Sequence, residues 1–347
     1  MEKRKHIWSL LFLLVLMAFT FFLLFRQLNI QDLMDTITGF EPVFLVAGMG
    51  MVVLFLCCEA FVFRIVLKGI DHPIRRISAL VYAGIDFYFS CITPSANGGQ
   101  PAQAYYMTKD GVPLSKSGIT ILVYGMMYKA VLLLFGMFAL CMVPSYVFGE
   151  STLLMVLFLF GAVCDVAVFV LCLFAIFHPD CIRRPVYFCI HILAKLRLIT
   201  DKEKAMVGAE KQLLEYHEAS MVCKKTPNLV IKTFCITFVQ RAIQFSIGYL
   251  VFRGFGLTGH SYFELFSIQV LIAFSADSLP LPGAVGASEA VHLAMYSHVY
   301  QEASLRSGAM LLTRGLNYYF LLSFCALITF LHIFRLWLQK KKPLQAV

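Results

Sequence analysis

Charge is scarce in this chain. Asp, Glu, Lys and Arg together make up 14% of its 347 residues. A soluble domain carries about 25% charged and about 45–50% apolar residues. Here the apolar fraction is 60% and the mean hydropathy +0.78, which excludes an ordinary soluble domain. Also missing are the motifs of soluble enzymes: HExxH, a P-loop, GxSxG, or GxGxxG between a strand and a helix. The 11 Cys contain no CxxC pair. Their odd number, with Cys57, Cys58, Cys141, Cys164, Cys172, Cys235 and Cys325 inside apolar segments, argues against a disulfide framework; they read as small packing residues. His178, His191 and His217 are scattered. Glu289 and His292 share a helix face but lack a third ligand, so neither metal nor cofactor is expected.

What the chain has instead is long apolar runs. Several exceed the roughly 18 residues that mark a membrane helix. The expected fold is all-α: a polytopic membrane protein forming a single domain over 1–347. Six segments read as full spans, at about 7–25, 43–67, 118–141, 152–177, 229–252 and 307–334. The first follows Lys3-Arg4-Lys5 and is longer than a usual signal-peptide core of about 7–15 residues, with no small-x-small site before Arg26. It reads as an uncleaved span. The net charge of +9 sits at helix ends and in one hydrophilic stretch. Positive-inside topology and anionic headgroups account for it better than nucleic acid does.

Lys/Arg placement orients the spans. Lys3, Arg4 and Lys5 precede the first; Lys68, Arg75 and Arg76 follow the second. Nine Lys/Arg lie between His178 and Asn228, and Arg335, Lys340, Lys341 and Lys342 lie near the C-terminus. All are expected to be cytoplasmic, as are both termini. The stretch 77–117 must then begin and end on the cytoplasmic side, and 262–306 on the other. Each is apolar enough to enter the bilayer and return. Two re-entrant hairpins from opposite faces are expected, their tips approaching mid-membrane; two thin full spans in either stretch is the alternative. The hydrophilic stretch 178–228 carries Tyr187, Phe188, Ile190, Leu193 and Leu196 at helical spacing beside Arg183, Arg184, Lys195 and Arg197. It suits an interfacial amphipathic helix, and equally an ordinary cytoplasmic linker.

A Pro/Gly-rich motif marks each bend. The first is Pro94-Ser95-Ala96-Asn97-Gly98-Gly99-Gln100-Pro101; the second is Leu279-Pro280-Leu281-Pro282-Gly283-Ala284-Val285-Gly286-Ala287-Ser288-Glu289. Backbone can break at membrane depth only where protein or a watery cavity satisfies it, and such breaks tend to mark transport sites. Proline limits helix continuation and glycine permits close turns. A helix starting near Pro101 would aim free N–H groups at the loop, a natural anion site; in a bilayer the obvious anion is a lipid phosphate. Glu289 falls in the first turn of the second returning helix, where the dipole favours a carboxylate. It is placed to meet a cationic headgroup, carry a proton or pair with an Arg. Asp277 is the second such acid.

Charged residues inside the spans are costly and should pair or face a cavity: Glu59, Arg64, Asp86, Lys129, Asp165, Arg241 and Arg314. Lys129 and Asp165, near the middle of consecutive antiparallel spans, are expected to form a structural ion pair. Arg241 and Arg314 could serve Glu289, Asp277 or a lipid phosphate, for which Arg is well shaped. The lipid-handling set is thus Asn97, Gly98, Gly99, Gln100, Asp277, Pro282, Gly283, Gly286, Glu289, Arg241 and Arg314, with no catalytic residue assigned.

The run from Pro94 to Tyr105 resembles the pattern TP-x-x-x-GG-[EQ]-P-x-x-A-Y, and Pro280 to Ala290 resembles P-x-PG-x-x-G-x-x-E. Both are marks of the lysylphosphatidylglycerol synthase transmembrane region, the flippase-like membrane domain of multiple peptide resistance factors. Arg314 and Tyr318 are similar to residues of its closing helix, and the resemblance covers nearly the whole chain. Gln100 stands where Glu is common, so no carboxylate role is carried over to it. In full-length members a soluble C-terminal domain transfers lysine from aminoacyl-tRNA to phosphatidylglycerol, and the membrane part moves the product across the bilayer. With Val347 soon after the last span, that transferase is not expected within these residues. The resemblance therefore implies a translocase for phospholipids, including aminoacylated ones such as lysyl-phosphatidylglycerol, in a bacterial cytoplasmic membrane. The alternative is a phosphatidylglycerol lysyltransferase-family enzyme, or the membrane subunit of a split lipid-modifying transferase. Expected partners are anionic or aminoacylated phospholipids; a homodimer and a separate soluble transferase are compatible with the chain.

Overall fold

The computed structural model describes residues 39–93, 98–149, 152–178, 180–195, 202–276, 279, 284 and 286–341. The expected first span, 7–25, lies outside them. The described residues contain α-helices, one π-helical segment and no strand.

Four long apolar helices form the frame: α1 (Pro42–Gly69), α4 (Leu114–Met142), α6 (Thr152–Phe177) and α9 (Pro227–Gly254). Each has 26–29 residues, about 40 Å of helix at 1.5 Å per residue, enough to cross a hydrocarbon core of about 30 Å. Proline opens α1 and α9, where a missing N–H costs nothing. A fifth crossing runs from Ala303 to Leu338: α12 (Ala303–Arg314), a π segment (Gly315–Phe320) and α13 (Leu321–Lys341). With five described helices long and apolar enough to cross a membrane, the chain is an all-α, multi-pass membrane protein. Its outer surface agrees: α6 presents Leu153, Phe160, Val163, Leu171 and Phe174 outward, all about half exposed or more.

α1 and α9 are antiparallel neighbours pinned at both ends. The Glu41 N–H donates to the Gly254 carbonyl at 3.0 Å, and at the other end Gly69 lies against the Leu229 side chain. These contacts define the two ends of the bundle.

Between the long helices lie two pairs of short ones. α2 (Arg76–Ile92) and α3 (Gly99–Lys109) have 17 and 11 residues; α10 (Tyr262–Ala276) and α11 (Ala287–Tyr296) have 15 and 10. At about 15–25 Å none spans the hydrocarbon alone. Within each pair the helices pack on each other, making two helical hairpins. Their open ends lie at opposite ends of the bundle. Lys116, just after the first hairpin, reaches the Asp71 carbonyl just before it, near Gly69. At the other end, past the far terminus of α4, Tyr146 on α5 (Ser145–Phe148) donates to Glu264 at 2.7 Å and stacks on His298 at 4.0 Å. That clasp holds the two legs of the second hairpin.

Glycine sets the packing of the second hairpin on the frame. A Cβ at Gly161 on α6 would lie 1.7 Å from the Phe274 carbonyl of α10, and one at Gly136 on α4 2.5 Å from the Phe274 ring. Small residues at such crossings let helix backbones approach closely in lipid.

The stretch 178–228 folds as α7 (Asp180–Lys195) and α8 (Lys202–Lys225). α8 buries Leu213, Tyr216, Ala219 and Cys223. Its Gln212 and Glu215 accept from the N–H and hydroxyl of Ser115 at the start of α4. α7 is tied to α8 by Arg183–Glu210, and leaves Phe188 exposed.

Candidate functional site at the hairpin tips

The first tip is shaped by a threonine and a glycine. Thr93, just past the end of α2, donates to the Phe89 carbonyl at 2.7 Å and accepts the Gly98 N–H at 2.9 Å. α3 then starts at Gly99, two residues before the expected Pro101. Proline fits at the third position because first-turn N–H groups have no intrahelical partner. A Cβ at Gly99 would lie 2.1 Å from Ser90 Oγ and 2.4 Å from Asp86 Oδ1, so the returning helix lies directly on α2. The expected anion site at this helix start is thus already faced by a carboxyl and a hydroxyl of its own hairpin. Gln100 is exposed, its amide close to Gly125 of α4.

The second tip is organised by Glu289. Gly286 has φ +85°, a conformation glycine adopts without penalty. Its N–H donates to Glu289 Oε2 at 2.6 Å, capping α11. Glu289 Oε1 receives Arg314 Nη2 at 2.8 Å and Nε at 3.0 Å. Arg314 Nη1 donates to Ser288 Oγ at 3.2 Å.

Arg314 is the last residue before the π segment. A π turn is a recurrent mark of functional helix positions. Here it brings the Tyr318 and Tyr319 rings to 4.5 and 5.9 Å from the guanidinium. Tyr318 donates to the Cys91 carbonyl in the last turn of α2 at 3.4 Å. Glu289, Arg314, Tyr318 and Cys91 therefore form one chain of contacts from the second tip to the first.

A second polar group lies deeper. Glu59 on α1 is 3% exposed and accepts the Tyr124 hydroxyl at 3.0 Å; Gln240 Nε2 reaches that hydroxyl at 3.2 Å. Arg241, 2% exposed, lies over the Tyr128 ring at 4.0 Å and the Phe245 ring at 4.9 Å, and donates to Gln244. Lys129 on α4 pairs with Asp165 on α6.

The structure thus gathers Gly286, Glu289 and Arg314, and links them through Tyr318 to the hairpin holding Gly98, Gly99 and Gln100. It does not gather Arg241 with them: Arg241 makes no ion pair with Glu289 and belongs to the deeper group. Asn97, Asp277, Pro282 and Gly283 lie outside the described residues. Sequence reasoning missed Ser288 and the grouping of Tyr124 and Gln240 with Glu59. Nothing in a helix interior marks a lone Tyr or Gln as a partner. Among the described residues no group of three His, Cys, Asp or Glu could hold a metal.

The tip junction is suited to oxyanions. One edge of a planar guanidinium grips Glu289, and the remaining Nη1 is held by a neutral hydroxyl that a stronger acceptor would displace. A search among curated proteins finds no match to the chain. The lysylphosphatidylglycerol synthase TM region family matches residues 7–325, and the chain belongs to that family.

Proposed function

We propose that the protein translocates phospholipids across a bacterial cytoplasmic membrane, with both termini on the cytoplasmic side, and that aminoacylated lipids such as lysyl-phosphatidylglycerol are among its substrates. The observation that carries this reading is the junction itself. Two half-membrane hairpins enter from opposite ends of the bundle, and their tips are joined through Arg314. Broken helices meeting around a buried charge are the usual frame of a membrane transport site. The family relates the chain to lysylphosphatidylglycerol metabolism, which supplies the lipid class.

In this reading the headgroup phosphate binds Arg314 Nη1 and the N–H groups that open α11, displacing Ser288. An amine on the headgroup is drawn to Glu289. Acyl chains stay in lipid. They have an apolar groove between α1 and α9 to follow, lined by Leu54, Cys57, Cys58, Phe61, Cys235, Ile236 and Val239.

The test is a lipid-accessibility assay in proteoliposomes. Labelled phosphatidylglycerol and its lysyl form should cross faster with the protein than without it, and Arg314→Gln should slow both at least tenfold. Crossing no faster than in protein-free vesicles overturns the proposal.

A further inference from the structure

Glu59 and Asp86 present an unbalanced charge that the tip junction does not use. Glu59 lies within about four residues of the midpoint of α1, and Gln240–Arg241 mark the midpoint of α9. α1, α2, α4 and α9 meet around them. The charged neighbours of Glu59 are Asp86 and Arg241. Neither carboxyl is in an ion pair among the described residues, although Arg241 is close enough to act on Glu59. Tyr124 from α4 and Thr237 and Gln240 from α9 add polar groups, Cys91 from α2 lies near Asp86, and Cys325 from α13 faces both acids. From the π segment, Leu316 lies against α1 at Gly48. Lys129, which shares the Tyr128 ring with Arg241, pairs with Asp165.

Several polar atoms here are buried without a hydrogen-bond partner: Glu59 Oε1, Asp86 Oδ1, Gln240 Oε1, Thr237 Oγ1 and Arg241 Nε. A buried acceptor left unmet keeps its full desolvation penalty, which a bound proton relieves. Two acids close together in a low dielectric do not both ionise. Counting charge, Arg241 contributes +1 and the two carboxylates −2, so a single proton brings the centre to zero. The carboxyl of Asp86, on α2, lies against Gly99 at the start of α3, where the helix dipole favours the ionised form. Glu59 accepts the Tyr124 hydroxyl on Oε2 and leaves Oε1 buried without a partner, the atom on which the proton is placed.

We propose that Glu59 and Asp86 form a buried proton-binding site, with one exchangeable proton held mainly on Glu59 and balanced by Arg241. Release of that proton switches the centre from neutral to −1 without breaking an ion pair. Such a switch suits a transporter, but the site stands whether or not the chain moves lipid.

Infrared difference spectroscopy on the purified full-length protein tests it. At neutral pH the wild type should show the carbonyl stretch of a protonated carboxylic acid that shifts in D2O. Glu59→Gln and Asp86→Asn each leave one carboxylate to balance Arg241, so wild type minus either variant should contain that band. Arg241→Gln removes the counter-charge, so its band should grow. Absence of the band from either difference spectrum, or an unchanged band in Arg241→Gln, overturns the proposal. All three variants keep side-chain size close, and unchanged helical circular dichroism confirms that they are folded.

Discussion

Arg314 holds Glu289 by a single oxygen, Oε1, while the other, Oε2, caps the helix that carries Glu289. One carboxylate thereby fixes both the start of α11 and its attachment to the last membrane crossing. Breaking a buried ion pair by removing one partner costs about 3–5 kcal/mol. Glu289 is one-fifth exposed, so the low end applies. Glu289→Ala should lower stability by roughly 3 kcal/mol, and Glu289→Gln by less, because the amide oxygen still accepts the Gly286 N–H. Arg314→Lys should not restore the contact, since an ammonium cannot reach Glu289 and Ser288 together. Thermal unfolding in detergent checks the order Glu289→Ala, then Arg314→Lys, then Glu289→Gln. Equal stability of all three with wild type would remove the junction from the structural core.

Gly161 tests how the second hairpin is seated. A methyl there meets the Phe274 backbone oxygen, which cannot rotate away. Overpacking costs about 1–3 kcal/mol, and a backbone obstacle puts Gly161→Ala at the upper end. Gly118 on α4 has open space around its Cβ position, so Gly118→Ala should be neutral or gain up to about 1 kcal/mol from helix propensity. A melting-temperature drop in the first and none in the second locates the effect at the α6–α10 crossing.

The tips were legible because their signals are local. Proline and glycine interrupt an apolar run, and Glu289 sits three residues after Gly286 whatever the rest of the chain does. The meeting of Arg314 with Glu289 rested on charge cost alone, which says that a partner must exist but not which one. That is why Arg241 looked equally suitable. The helices carrying Arg241 and Glu59 are apolar nearly all round, so no periodicity tells which face turns inward. The π segment was hidden for a different reason: Gly315–Phe320 reads as ordinary helix, and the extra residue per turn that presents Tyr318 to Arg314 and Cys91 has no compositional mark.

The Lys129–Asp165 pair should behave as a structural element whose halves are worse apart than absent together. Asp165 is 1% exposed and Lys129 19%. Lys129→Met strands the deeper charge and should cost roughly 3 kcal/mol. Asp165→Asn strands a lysine that can still lean on the Tyr128 ring, 5.4 Å away, and should cost less. The double change Lys129→Met/Asp165→Asn should recover most of the loss. A double-mutant cycle on unfolding free energy measures this. Strict additivity would mean that the two residues do not act as a pair.

Lys109 ends the first hairpin and Gln301 follows the second, and both are exposed. In a background with the native cysteines replaced, Lys109→Cys and Gln301→Cys report on which face each hairpin opens to. The positive-inside count puts Lys109 in the cytoplasm. A membrane-impermeant maleimide should therefore label Gln301→Cys in intact cells and Lys109→Cys only after the membrane is opened. Reversal of the two patterns would invert the orientation and leave the hairpins standing. Labelling of both from one side would be different in kind: the two open ends would share a face, and the tips could no longer enter from opposite ends to meet at Arg314.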